Sequence, residues 1–200
     1  MLTIWNNMAK EAGFNGLTFI YQSAMSCVDP CWNRSMFDYG VHFQPGYVSW
    51  TSRSQLKTML LWRAIKLSRI LKRIFKIKKR QMLDNVPKDV CKFDYDECWQ
   101  NILKLRPDDD HTIPGGFVDW DNTPRKQMRG MVAVGATPEK FKKYFRQLVR
   151  NTREFYKQDK IFFFAWNEWA EGGYLEPDEK YKYAYLEAIK EVLDEDEKGF

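Results

Sequence analysis

Glu168 and Glu171 stand three residues apart, interleaved with Trp166 and Trp169, in the run Ala165-Trp166-Asn167-Glu168-Trp169-Ala170-Glu171-Gly172-Gly173. Two neighbouring carboxyls push each other's titrations apart, and burial beside aromatic rings raises a carboxyl towards neutrality. One can then act as an acid while the other stays charged, which is the division of labour that general acid/base chemistry needs. Indole faces also suit the apolar face of a sugar ring. The same residues fit a plainer arrangement, in which the two glutamates are surface acids on a turn and the tryptophans lie in the core. A second polar group, Asp119-Trp120-Asp121-Asn122-Thr123-Pro124-Arg125, follows another apolar run. Asp119, Asp121 and Arg125 either bind sugar or tie their loop together through a carboxylate–guanidinium pair.

Such groups must be carried by something rigid, and periodicity indicates what. Ile161 to Trp166 is continuously apolar over strand length, the pattern of a strand buried on both faces in a parallel sheet. Gly16 to Tyr21, Tyr39 to Gln44 (closed by Pro45-Gly46), Val90 to Phe93 and Gly116 to Trp120 read as further strands. Helices are expected at Met1 to Gly13, from Asp94 through Tyr95 to Leu105, from Thr137-Pro138-Glu139 to about Lys157, and at Tyr181 to Leu193. Arg106 to Pro114 reads as a polar loop. Strands alternating with helices predict an α/β fold with parallel strands, a (β/α) TIM-type barrel or part of one. In that architecture chemistry sits on the loops at the carboxyl ends of strands, where Asp119 to Arg125 and Asn167 to Glu176 fall. About five strands can be counted against the eight, in roughly 250 residues, of a complete barrel, so a partial barrel is expected.

The 200 residues, 44% hydrophobic and 30% charged, suit one domain with a core of its own and exclude disordered or fibrous chains. The net charge of +5 conceals an asymmetry, because residues 39–83 contain no acid while Arg53 to Arg80 carry +11, leaving −6 for the remainder. Leu60, Ala64, Leu67, Leu71 and Ile74 share one helical stripe, so about 55–82 reads as an inserted basic amphipathic helix. It either packs on its own barrel or meets an anionic membrane surface through residues 60–80. Charge so local argues against a nucleic-acid partner. Cys27, Cys31, Cys91 and Cys98 lack the spacing of a disulfide framework or a metal site and read as free thiols. No apolar run approaches the roughly 20 residues that cross a bilayer. Met1 to Lys10 lacks the pattern of a secretory leader, so a cytoplasmic location is expected, peripheral at the inner membrane if the basic helix binds lipid.

Ala165 through Gly172, with Tyr174-Leu175-Glu176-Pro177-Asp178 and Tyr183-Ala184-Tyr185-Leu186 after it, resembles the signature of the WbsX family. These are proteins of bacterial surface-polysaccharide loci, labelled glycosyltransferases and similar to glycoside hydrolase family 99. Phe43-Gln44-Pro45, Tyr95-Asp96, Val118 to Arg125 and Thr137-Pro138-Glu139-Lys140-Phe141 resemble further blocks of the family in the same order. The resemblance implies a (β/α) barrel of eight units, of which this chain carries the carboxy-terminal half, the rest being lost by truncation or supplied by another chain. It implies that Glu168 acts as a base on the substrate's 2-hydroxyl and Glu171 as general acid/base, the 2-oxygen attacking the anomeric carbon without a protein nucleophile. The usual retaining scheme instead sets two carboxyls about 5 to 5.5 Å apart, one of them the nucleophile. Neither scheme calls for a metal or another cofactor. Saccharide contacts are implied for Trp166, Asn167, Trp169, Tyr174, Glu176, Asp119, Trp120, Asp121, Arg125, His42 and Gln44. His42 departs from the acidic residue that relatives often carry before Phe43-Gln44-Pro45, and it either binds a sugar hydroxyl or is a satisfied structural histidine.

The leading expectation is a carbohydrate-active enzyme of surface-polysaccharide biosynthesis, its glutamate couple lining a saccharide pocket at the barrel mouth and its substrate a nucleotide-linked or lipid-linked glycan. The alternative is an inactive, truncated carbohydrate-binding or assembly subunit that binds without turnover. A membrane-surface adaptor working through the basic helix would instead show vesicle binding that weakens with salt.

Overall fold

The computed structural model describes residues 1–24, 34–49 and 90–197. The basic helix expected over 55–82, and Cys27 and Cys31, lie outside the described residues. Helix α1 (Leu2–Glu11) ends where Gly13 turns left-handed at φ 89°. Strands β1 (Ile20–Ser23) and β2 (Tyr39–His42) follow, then a single turn, α2 (Gly46–Ser49). Strand β3 (Cys91–Asp94) runs straight into α3 (Tyr95–Lys104), where Asp94 Oδ1 accepts the Glu97 N–H at 2.7 Å, as an aspartate just ahead of a helix predicts. Next come β4 (Thr112–Ile113), β5 (Gly115–Phe117), the short helix α4 (Thr123–Lys126) and β6 (Met131–Val134). Helix α5 (Pro138–Asn151) begins with Thr137 Oγ1 accepting the Lys140 N–H and with Pro138 where no N–H is required. Its final turn widens over Thr152–Tyr156 before Lys157 turns left-handed. Strands β7 (Phe162–Phe164), β8 (Asn167–Glu168) and β9 (Gly173–Tyr174) lead to the last helix, α6 (Ala184–Glu197).

Pairing is parallel between β1 and β2, β2 and β4, β3 and β6, and β5 and β7. Only Pro114 separates β4 from β5, so one interrupted strand serves β2 with its first half and β7 with its second, the Pro114 carbonyl accepting the Phe162 N–H at 3.1 Å. The α/β class with parallel strands is therefore present. No closed barrel forms among the described residues, because β3 leaves the run to pair with β6 and nothing described bonds to the outer edge of β1 or of β7.

The core gathers where α3 and α5 meet β5. Trp99 is fully buried, stacking on Phe117 (ring centroids 5.6 Å apart, planes at 12°) and on Tyr144 (5.8 Å, 9°), with the edge of Phe141 against it. Asp96 accepts from Lys140 Nζ and from the Tyr144 hydroxyl, each at 2.6 Å, which ties α3 to α5 and gives the Tyr95-Asp96 block a packing role. Lys142 pairs with Glu191, Arg146 with Glu195 and Arg153 with Asp196. Numbers rise together along both helices, so α5 and α6 run parallel, as helices of successive strand–helix units do.

Several segments differ from the sequence reading, among them the short helix α4 and the β8–β9 hairpin. Met131–Val134 forms β6, which a four-residue apolar run cannot announce by periodicity alone. The supposed loop from Arg106 to Pro114 contains β4, whose two residues are too few to show alternation. The first strand falls at Ile20–Ser23, later than expected. Cys91 and Cys98 are free, and burial pushes the Cys98 thiol up to about 12. Among the described residues no helix is long and apolar enough to cross a membrane.

Candidate functional site

Strand β7 leaves the sheet through a cis Phe164–Ala165 bond and hands the chain to a small hairpin made of β8 and β9. Several backbone bonds clamp that hairpin. Ala165 N–H donates to the Gly173 carbonyl at 3.1 Å, and the Trp166 carbonyl accepts from both Leu175 and Glu176 at 2.9 and 3.0 Å. Asn167 lies opposite Tyr174 and Glu168 opposite Gly173, so Glu168 shares its hairpin face with a residue that has no side chain. Glycine is required there, because a Cβ on Gly173 would lie 2.3 Å from the Phe164 ring. Gly172 is left-handed at φ 63°, and a Cβ on it would meet the Asp121 amide at 2.9 Å.

That close approach joins the two sequence groups. The Asp121 N–H donates to the Glu171 carbonyl at 2.8 Å, and the Arg125 guanidinium forms an ion pair with the Glu171 carboxylate. Asp121 stands just ahead of α4, its Oδ1 accepting the Thr123 amide at 2.9 Å and the Thr123 hydroxyl at 2.6 Å. The carboxylate–guanidinium pair expected within the Asp119 to Arg125 loop runs instead from Arg125 to Glu171 on the other loop. Trp120 is half-buried against Phe164 at 5.0 Å, with its Nε1 buried and unpartnered, and its carbonyl accepts from Ala133.

The tryptophans are not core residues. Trp166 is 55% exposed and Trp169 is 49% exposed. Trp169 is nonetheless held firmly: its ring lies on Tyr174 (3.8 Å, 15°), and its Nε1 donates to Glu176 Oε2 at 2.6 Å. Tyr174 is in turn anchored through its hydroxyl on Asp178 at 3.1 Å, and burial, followed by that bond, pushes the phenol up to about 12. Asn167 is exposed.

Asp119 is half-buried at the carboxyl end of β5. Its Oδ1 accepts the Trp120 N–H at 2.7 Å, yet desolvation dominates and raises its carboxyl above the usual range, with Lys180 and Asp121 as lesser, opposed influences. Tyr95, Tyr174 and Tyr185 all feel its charge. Lys180 and Tyr185 belong to the stretch after the hairpin, and no spacing in the sequence links them to Asp119; only the turn held by Asp178 brings them near.

His42 and Gln44 lie elsewhere. His42 is buried, with its Nε2 3.4 Å from Asp108 and its ring stacked on Tyr47 at 4.1 Å. It lines a cavity of about 630 Å³ with Tyr39, Asp108 and His111, a cavity that neither glutamate touches. Gln44 is buried, accepts the Val48 N–H at 3.3 Å and lines a separate space of about 320 Å³ that reaches Phe164 and Ala165, the residue before Trp166. Glu168 is half-buried and the Glu171 side chain only 14% exposed, next to the two exposed indoles. Neither glutamate lines either of these two spaces.

Among the described residues no group of His, Cys, Asp or Glu side chains could hold a metal ion. The arrangement offers a guanidinium-held carboxylate at Glu171, a second carboxylate at Glu168 on the open hairpin face, and two exposed indoles beside them.

Comparison with known proteins gives this site its context. The chain is 28% identical over 195 residues to the uncharacterized protein WxcX of Xanthomonas campestris pv. campestris strain B100, a match covering 94% of this chain and 24% of that protein. It is 34% identical over 103 residues to WxcX of a second strain of that pathovar, covering 48% of this chain and 14% of the relative. The chain thus spans about a quarter of the length of the first of these relatives. No solved structure matches. The profile of the family described as glycosyltransferase WbsX matches residues 1–189, all of the hairpin, the α4 loop and the start of α6 included, and the chain belongs to that family.

Proposed function

We propose that this chain is the carboxylate-bearing part of a (β/α)-barrel enzyme of bacterial surface-polysaccharide biosynthesis, acting on a saccharide substrate. The observation that carries the reading is the hairpin itself, where two exposed tryptophans flank Glu168 and Glu171 directly after a parallel strand. Membership of the WbsX family supports it. Glu168 is the base acting on the sugar's 2-hydroxyl and Glu171 the acid/base at the scissile or forming bond, with Trp166 and Trp169 as the stacking faces and Asp119 as a further carboxyl at the edge. The basic segment 60–80 supplies the charge for peripheral contact with anionic lipid at the inner membrane.

The test is turnover by the chain, offered a panel of aryl glycosides and neutral oligosaccharides with hydrolysis and transfer products both followed. Glu168→Gln and Glu171→Gln should each lower turnover by about 10²- to 10⁴-fold, the usual worth of a positioned acid or base. Unchanged turnover in both variants would remove the couple from the mechanism. A second reading, a glycan-binding subunit without turnover, is favoured by the Arg125 pairing of Glu171, which occupies that carboxylate. It requires saccharide binding that neither substitution abolishes and no products from any substrate.

A further inference from the structure

The Arg125–Glu171 pair is lopsided. The Arg125 side chain is 56% exposed and the Glu171 side chain only 14%, so the cation and not the acid faces solvent. The loop beneath it is firmly built. Asn122 is buried, its Oδ1 accepting the Met131 N–H at 2.7 Å and its carbonyl accepting the Arg125 and Lys126 amides at 3.2 and 2.9 Å. The turn then closes on itself, since a Cβ on Gly130 would lie 2.8 Å from the Thr123 backbone. Between Thr123 and Gly130 the chain carries no acid, and Arg125, Lys126 and Arg129 are all exposed. Among the described residues no ion pair holds Lys126 or Arg129. Glu171 is met by Nη2 of Arg125, and a guanidinium has further N–H donors in the planar fork that fits a phosphate. Three cations on one acid-free turn suit a group of two or more negative charges better than the single charge of a sugar acid. The pairing also bears on Glu171. A carboxylate held by a guanidinium stays charged and accepts protons; released beside a phosphate, it is driven towards the protonated form that a general acid needs.

We infer that Arg125 binds the phosphate of a glycosyl phosphate, a sugar carrying phosphate or diphosphate at its anomeric carbon, and that it exchanges Glu171 for that phosphate. Lys126 and Arg129 add to the attraction. The inference rests on the saccharide reading above and names the class of its substrate. Nucleotide-linked and lipid-linked sugars share this chemistry.

Isothermal titration of the full chain at constant ionic strength, with inorganic pyrophosphate as the probe and glucuronate alongside, tests this. Pyrophosphate should bind more tightly than glucuronate, and Arg125→Gln should weaken it about 10- to 100-fold, the worth of a hydrogen bond to a charged group. Glu171→Gln should act the other way and tighten it at least about threefold, because the guanidinium loses a competing partner and the phosphate a neighbouring negative charge. UDP and farnesyl diphosphate, titrated separately, distinguish a nucleotide from a lipid source: binding of either that Arg125→Gln abolishes supports the inference, and the tighter of the two identifies the source. No binding of pyrophosphate, an affinity unchanged in Arg125→Gln, an affinity unchanged or lowered in Glu171→Gln, or glucuronate bound more tightly would each overturn it. All of these leave the saccharide reading standing, which falls on the turnover of neutral glycosides described above. Far-UV circular dichroism confirms that the variants fold, and Glu171→Gln decides the matter if Arg125→Gln does not.

Discussion

Asp119 is a carboxylate kept where folding alone would not choose to keep one. Desolvation raises its carboxyl above the usual range, so the folded state holds its proton more firmly than the unfolded chain does. Stability is therefore withheld above the raised value and recovered as pH falls through it. Asp119→Asn retains an oxygen for the Trp120 N–H and removes the charge, so we expect a higher melting temperature at pH 7 and no difference near pH 3. A lower melting temperature at pH 7 would show that the carboxylate stabilises the fold. At this scale the sequence was informative about types and poor about partners. The two loops could be read as polar groups at strand ends, but that Arg125 pairs with Glu171 goes with a backbone approach between Gly172 and Asp121 that no linear spacing encodes, and that Glu176 holds Trp169 depends on the fold of the hairpin.

Elements divide into those that announce themselves locally and those defined by neighbours. Helix α5 is of the first kind, with a threonine cap, a proline at its first position and a strong apolar stripe through Phe141, Tyr144, Phe145 and Leu148. Thr137→Ala should cost about 1 kcal/mol through the lost cap. Trp99→Ala should cost about 3 to 5 kcal/mol, because the indole fills the space between Phe117 and Tyr144. Urea unfolding of both variants separates the two, and equal losses would contradict the packing described. Strands β4, β6, β8 and β9 are of the second kind, two to four residues long and paired only because other segments arrive beside them. Parallel alternation was legible in the apolar runs. The diversion of β3 to β6 was not, since strand order is a property of crossovers and not of any one strand.

For the molecule as a whole, acid should loosen the helical layer first. Hydrogen bonds from Lys140 and then from Tyr144 hold the Asp96 carboxyl below its usual range, and they join α3 to α5. A carboxyl lowered in this way contributes stability above its unfolded value, and that contribution disappears as pH falls through the lowered one. Urea midpoints measured from pH 5 to pH 2 should fall less steeply for Asp96→Asn than for the wild type, and parallel slopes would refute the assignment. The segment 112–117 has a different kind of importance. Its first half is registered against Gly40 and Val41 and its second against Phe162 to Phe164, with a residue lacking an amide hydrogen between them. It works as a ruler laid across two frames: one residue added or removed within it would slide the tryptophan hairpin by about 3.3 Å relative to Gln44, far enough to misplace a carboxylate by more than a hydrogen bond's length without disturbing a single residue of the hairpin.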